Sequence, residues 1–181
     1  MESVSSNETS EPIVPLPSAL SEDPTFIAYA QQMLGDSELA DGLSAEQLAQ
    51  IAAIGEVRVF EEGDLICDEH TQGHELYIIG SGSVDVWLDP SSIGDDQGDS
   101  RRIASLHAGQ TCGELALLDG GVRSAQLRAG SSGARLIAFD HKALIALCEA
   151  NTAIGYRIMR NLAAALALRL RLHDMQLYSK E

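Results

Sequence analysis

The sequence predicts an α+β protein: an antiparallel, jelly-roll-like β-roll of about eight short strands, with short helices before it and further helices after it. Two observations predict this class. From Val57 to Phe139, short runs rich in β-branched residues alternate with glycine-containing turns, a pattern typical of antiparallel strands. On both sides of this region, apolar residues recur at three- and four-residue steps, as they do along one face of a helix. A chain of 181 residues with 45% hydrophobic side chains has the material for one good core.

Four segments are predicted along the chain: an acidic disordered arm, an N-terminal helical segment, the β-roll and a pair of C-terminal helices, at residues 1–24, 25–56, 57–139 and 140–178. The arm is rich in Ser, Glu and Pro and has no apolar period, which is typical of disorder. Asp23 and Pro24 mark a helix start, and Ser44 with Gln47 forms a capping box that opens a second short helix. The predicted strands of the roll are 58–60, 64–67, 75–79, 83–88, 101–106, 124–128 and 135–139.

The C-terminal segment is predicted to contain two helices. Asp140 caps the first, and Asn151 or Thr152 starts a longer one that continues to about His173. Apolar residues cover more than one face of the longer helix, so we expect one face to cover the roll and the other to form a homodimer with a second copy. The alternative is that one monomer buries both faces.

Charge and composition exclude several classes of protein. The formal net charge is −15, and residues 1–57 contain ten acids and no Lys or Arg, so direct binding of DNA or RNA is not expected. No apolar run reaches the roughly eighteen residues of a membrane span, and no basic and apolar leader is present. Cys67, Cys112 and Cys148 lack paired spacing, which predicts neither a disulfide framework nor a zinc site. We therefore expect a soluble protein of a reducing, bacterial cytoplasm.

The candidate chemistry lies in residues 112–125. Glu114 and Arg123 are nine positions apart around a short apolar turn with glycines at both ends. A guanidinium matches two phosphate oxygens at once, and a carboxylate accepts a hydrogen bond from a sugar hydroxyl. Gly113 lets the backbone approach a ligand closely, and a helical turn at 115–118 presents free N–H groups to an anion. These residues favour a site for a phosphorylated sugar, although a surface turn with a weak ion pair has the same composition.

This stretch contains the run GELALLDGGVRSA and resembles the phosphate-binding cassette of the cyclic nucleotide-binding domain family, in which Gly-Glu-Leu-Ala-Leu precedes Arg-(Ala/Ser/Thr)-Ala. Residues 60–64, 76–86 and 106–110 resemble the family's entry turn, its central hairpin strand and the turn before the cassette. The resemblance covers roughly residues 43–172. It implies a stand-alone effector domain of the kind found in catabolite activator proteins and protein kinase A regulatory subunits, here without a DNA-binding domain.

The resemblance also implies a function and a set of site residues. The function is that of a non-catalytic sensor that binds a 3',5'-cyclic mononucleotide and signals to an effector protein through movement of the C-terminal helix. Arg123 and Ser124 would bind the phosphate, and Glu114 the ribose 2'-hydroxyl. The candidate ligand-binding residues are Gly113, Glu114, Leu115, Ala116, Arg123, Ser124, Ala125, Val86, Ile103, Ala104 and Leu106. The candidates to cap the base are Leu166, Arg169, Leu170 and His173.

Other interpretations of the ligand and of the function stay open. Ser124 is compatible with either base, and cAMP is favoured over cGMP; a cyclic dinucleotide would need a wider pocket. A protein-interaction module could keep the roll and bind no nucleotide. An enzyme such as a phosphodiesterase would need paired metal ligands or a nucleophile with its base, and the sequence contains neither spacing. The arginines of the last helix could equally form a solvated basic face.

Neither a metal nor a cofactor is expected. His70 and His74 have no third ligand nearby, and the acids of the insertion 90–100 lack the spacing of a calcium loop. His70 stands where the family often has glycine, which leaves the geometry of that turn open. Cys112 is expected to be a small buried apolar filler, with a redox-sensing thiol as the alternative.

Overall fold

The computed structural model describes residues 24–93 and 98–178. The α-helices within them are α1 (Pro24–Gly35), α2 (Ala45–Ala52), α3 (Glu114–Asp119), α4 (His141–Ala150) and α5 (Thr152–Tyr178). The strands are β1 (Gly55–Phe60), β2 (Leu65–Cys67), β3 (Glu75–Leu88), β4 (Arg101–His107), β5 (Thr111–Cys112) and β6 (Gln126–Asp140). The predicted acidic arm, apart from Pro24, lies outside the described residues, as do residues 94–97 of the acidic insertion.

The strands form one antiparallel sheet in the order β1-β6-β3-β4, with β2 paired to β6 and β5 paired to β3. Strands β3 and β6 pair from Glu75, opposite Asp140, to Trp87, opposite Gln126. Helices precede and follow the strands along the chain, so the predicted α+β class is confirmed.

The number of strands differs from the prediction because two glycine-containing segments are bulges and not turns. The predicted pairs 75–79 with 83–88 and 124–128 with 135–139 each belong to one continuous strand. With the short strand β5, which was not predicted, the described residues contain six strands instead of about eight. The register of β3 against β6 shifts on both sides of Gly82. A Cβ on Gly82 would lie 2.1 Å from the carbonyl oxygen of Gly133, so glycine is required where the two strands approach each other.

Two apolar clusters hold the fold together. The first joins the helices to the outer face of the sheet and includes Leu34, Ile51, Phe139 and Ile158. The second fills the inside of the roll and includes Phe60, Tyr77, Ile79, Val84, Cys112 and Leu136. The inner cluster forms the floor of the cavity described below.

The predicted helix caps are present. Ser44 Oγ accepts from the Gln47 backbone N–H (3.2 Å), and Gln47 Oε1 accepts from the Ser44 N–H (2.9 Å), which completes the capping box. Asp140 Oδ1 accepts from Ala143 N–H at 3.0 Å and begins α4. Asn151 Oδ1 accepts from Ile154 N–H at 3.3 Å at the start of α5, a helix that continues five residues beyond the predicted end, to Tyr178.

Helix α5 is also joined to the N-terminal helical segment. The buried amide of Asn161 donates to the backbone carbonyls of Leu39 and Asp41, both at 2.8 Å. Buried polar groups need such partners, so this contact places α5 beside residues 39–41 and directs its C-terminal half toward the mouth of the roll.

Candidate nucleotide-binding site

A cavity of about 210 Å³ opens between the inside of the roll, α3 and α5. Ten of the eleven predicted ligand-binding residues line it, namely Gly113, Glu114, Leu115, Ala116, Arg123, Ser124, Ala125, Val86, Ala104 and Leu106. Ile103 does not line the cavity and is 55% exposed. Because neighbouring strand residues face opposite sides of a sheet, β4 cannot turn both Ile103 and Ala104 inward.

Gly113 starts α3 in a conformation that favours glycine. Its φ of +81° lies in the left-handed region. A Cβ at this position would lie 2.3 Å from Arg123 Nη1 and 2.8 Å from the carbonyl oxygen of Glu75. Glycine is therefore required here by the side chain of Arg123 and the backbone of Glu75, and the predicted approach of Gly113 to a ligand stays a prediction.

Arg123 is a buried cation without an anionic partner in the described part of the chain. Arg123 is 5% exposed. Its Nη1 donates to the carbonyl oxygen of Gly113 at 3.2 Å, and its guanidinium lies over the ring of Tyr77. Among the described residues, no carboxylate oxygen lies within 4 Å of it. A buried guanidinium that lines a cavity and lacks a counter-ion is suited to bind an anion.

The backbone of Arg123 is held by the neighbouring loop. Arg123 N–H donates to Thr71 O at 2.8 Å, and His70 N–H donates to Arg123 O at 2.9 Å. His70 adopts a φ of +62°, the one positive value among the described residues other than glycine. The turn thus keeps the left-handed geometry typical of glycine although a histidine occupies it.

Glu114 is 6% exposed and pairs with the C-terminal helix. Arg169 Nη1 donates to Glu114 Oε1 at 2.6 Å. The other terminal nitrogen of Arg169 donates to Glu38 Oε1 at 2.6 Å and to Thr111 O at 2.7 Å. Burial raises the pKa of the Glu114 carboxyl, and the nearby carboxylate of Glu38 adds to this effect, while Arg169 opposes it.

Of the four residues predicted to cap the base, only Arg169 lines the cavity. Leu170 is 63% exposed, His173 is also exposed, and Leu166 is half-buried. Successive helix residues point about 100° apart, so the turn of α5 that directs Arg169 inward directs Leu170 to solvent. Arg169 therefore does not fit the alternative of a solvated basic face, whereas Arg160 and Arg171 are exposed.

Several contributors to the site were not predicted. Cys67, Cys112 and Leu127 also line the cavity. Cys112 is buried, as expected for a filler, and burial raises the pKa of its thiol. Glu38 was missed because nothing in its local sequence indicates a partner 131 positions away. Leu127 could have been found from the alternation of its strand.

The part of the chain that the structure describes contains neither a metal site nor a membrane-spanning helix. No group of three or more His, Cys, Asp or Glu side chains is arranged to hold a metal ion there. Within the same residues, no helix has both the length and the apolar character needed to cross a bilayer.

The fold and the site together define a β-roll whose cavity is lined by a buried arginine. The chain belongs to the cyclic nucleotide-binding domain family, whose model matches residues 57–151. This membership confirms the family resemblance of the cassette.

Similar proteins differ widely in length. "Glutaminase 1" of Bradyrhizobium diazoefficiens is 35% identical over 137 residues, which is 76% of this chain and 21% of that protein. "Cyclic AMP receptor protein" of Thermus thermophilus is 32% identical over 141 residues, 78% of this chain and 61% of that protein. The crystal structure of a cyclic nucleotide-binding domain from Methylobacillus flagellatus superposes with a TM-score of 0.73 at 22% identity, over 87% of this chain and 85% of the other. The chain thus spans about a fifth and three-fifths of the first two relatives.

Proposed function

We propose that this protein is a non-catalytic sensor that binds a 3',5'-cyclic mononucleotide in the cavity beside α3. The observation that carries the proposal is the buried Arg123 guanidinium, which lines the cavity and has no carboxylate within reach in the described residues. Removing a charge from water costs several kcal/mol unless a partner compensates. A phosphodiester supplies a permanent negative charge and two oxygens for the guanidinium fork.

The lining residues support one orientation of the ligand. The phosphate lies on Arg123, on Ser124 and on the backbone at the start of α3. The ribose 2'-hydroxyl lies on Glu114, and the base extends over the apolar wall that includes Val86 and Leu106. In this orientation, the phosphate and the 2'-hydroxyl each have a buried partner, Arg123 and Glu114.

We favour cAMP over cGMP as the ligand. A relative at 32% identity bears the name cyclic AMP receptor protein, and Ser124 accommodates either base. A cavity of about 210 Å³ favours a mononucleotide over a cyclic dinucleotide, because a dinucleotide contains two nucleotide units.

Signalling is proposed to pass through α5. A ligand shifts a conformational equilibrium only by its differential affinity for the two states. Here the two states differ in whether Arg169 binds Glu114. A ribose that binds Glu114 competes with Arg169, which joins that carboxylate to α5. The distal half of α5 exposes Leu168, Leu170 and Leu172; we assign this surface to a homodimer and to an effector protein in the cytoplasm.

One observation favours the alternative of an interaction module that needs no nucleotide. Glu114 already has a partner within the chain, because Arg169 binds it at 2.6 Å. In that case the closed arrangement of α5 is permanent, and the cavity stays empty.

Isothermal titration of nucleotide-free protein with cAMP, cGMP and cyclic di-GMP distinguishes these functions. The proposal expects saturable binding of cAMP at about one site per chain, with weaker binding of cGMP and none of cyclic di-GMP. Tight binding of cyclic di-GMP alone would support the dinucleotide receptor, and no binding of any of the three would support the interaction module.

A further inference from the structure

The face of Tyr77 lies beneath the guanidinium of Arg123. The distance from Arg123 Cζ to the ring centroid is 5.3 Å, and Tyr77 is 2% exposed on β3. The face of an aromatic ring is electronegative, so it attracts a cation. Unlike a carboxylate, a neutral ring leaves the net charge of the cation available for a ligand.

Tyr77 is itself held by a chain of polar contacts that ends on β1. Its hydroxyl donates to Glu75 Oε2 at 2.7 Å. Arg58 binds the same carboxylate through both terminal nitrogens, at 2.6 and 3.0 Å, and also binds Glu56 at 2.8 Å. Burial and the Glu75 carboxylate raise the pKa of Tyr77, so its phenol stays neutral. Arg58 thus forms the ion pair with Glu75, whereas Arg123 has no carboxylate oxygen within 4 Å among the described residues.

Two contacts therefore orient the Arg123 guanidinium: the Tyr77 ring and the carbonyl oxygen of Gly113. We infer that Tyr77 is a positioning residue for the phosphate, one that holds the Arg123 fork toward the cavity without neutralising it. The inference rests on the proposed function, because it concerns the same site. Tyr77 does not line the cavity and acts through Arg123.

The first test is the affinity of Tyr77 variants of the full chain for cAMP. Tyr77→Phe keeps the ring and is expected to bind within about threefold of wild type. Tyr77→Leu removes the ring and is expected to bind cAMP on the order of tenfold more weakly, because a desolvated cation–π contact is lost. Tyr156→Leu, which removes an exposed tyrosine on α5, is the matched control and should bind like wild type.

The second test needs no ligand. The Arg123 Nε–H signal of the free protein, assigned by its absence from Arg123→Lys, is expected upfield because the ring shields it. The arginines for comparison are those that lie over no ring, which leaves out Arg135 because its guanidinium lies over Tyr29. The same upfield position is expected in Tyr77→Phe, and an ordinary position in Tyr77→Leu.

The two tests distinguish failure of the proposed ligand from failure of the role inferred for Tyr77. Failure of wild type to bind cAMP would refute the proposed ligand and leave the NMR test in force. An ordinary Arg123 shift in wild type, or wild-type affinity in folded Tyr77→Leu, would overturn the role of Tyr77. If Tyr77→Leu does not fold, the Arg123 signals of wild type and Tyr77→Phe still decide the question.

Discussion

The substitution Gly113→Ala adds one methyl group and has two expected effects, backbone strain and loss of the phosphate site. Gly113 has a φ of +81°, and a Cβ there would lie 2.3 Å from Arg123 Nη1 and 2.8 Å from the Glu75 carbonyl oxygen. The guanidinium can move, but the backbone oxygen cannot move without disturbing the start of β3. Gly113→Ala is therefore expected to displace Arg123 from the cavity.

The expected magnitudes follow from these two effects. An L residue in the left-handed region costs about 1–2 kcal/mol of folding free energy. Loss of a charge-assisted hydrogen bond costs about 1.5–3 kcal/mol, which weakens binding by roughly 10- to 150-fold. Gly113→Ala should thus show both a lower stability and a much lower affinity for cAMP.

Gly63→Ala is the matched control. Gly63 has the same φ of +81°, and nothing lies within 4 Å of its Cβ position. Urea denaturation should show the cost of the left-handed conformation in both variants, with a further loss in Gly113→Ala from the clash with the Glu75 carbonyl oxygen. Calorimetric titration should show lost affinity in Gly113→Ala alone. Equal affinities of the two variants for cAMP would refute the steric reasoning.

Three further predictions test other parts of the site. Burial acts to raise the pKa of Glu75, but hydrogen bonds from Arg58 and Tyr77 outweigh it and hold the pKa below the ordinary value of 4.5. Glu75 therefore stabilises the fold above about pH 4.5 and loses this effect as the pH falls through its lowered pKa. Urea denaturation between about pH 6 and 3 should show that the stability difference between wild type and Glu75→Gln shrinks as the pH falls. A difference that stays constant with pH would contradict this. Arg169→Ala should accelerate amide hydrogen exchange in residues 165–175 of α5, measured by mass spectrometry, whereas exposed Arg171→Ala should not; equal protection in both variants would argue against the Arg169 contacts as an anchor. Cys67 lines the cavity, so bound cAMP should slow its alkylation by a neutral maleimide and leave Cys148 unaffected; an unchanged Cys67 rate at saturation would place the nucleotide elsewhere.

Features encoded by neighbouring residues could be predicted from the sequence. Gly113, Glu114 and Arg123 lie within one short stretch, and the family resemblance of this stretch indicated ten of the residues that line the cavity. The Ser44 capping box and the Asp140 cap were likewise predictable, because each joins atoms three residues apart.

Features that join distant residues could not be predicted in the same way. Arg169 contacts Glu114 and Glu38 across 55 and 131 positions, and only the packing of α5 against the N-terminal segment brings these groups together. The continuous strands β3 and β6 were predicted as four, because a glycine has the same local signature in a turn as in a bulge where two backbones approach closely.

The proposed phosphate site is tested by the affinities of nucleotide-free wild type and of Arg123→Ala for cAMP, measured by isothermal titration. Arg128→Ala serves as the control, because Arg128 lies on the same strand as Leu127 and donates to Gly63 O and Gln126 outside the cavity. We expect saturable binding to wild type and to Arg128→Ala, and binding at least roughly tenfold weaker to a folded Arg123→Ala. Unchanged affinity in Arg123→Ala would contradict the assignment of Arg123 as the phosphate ligand.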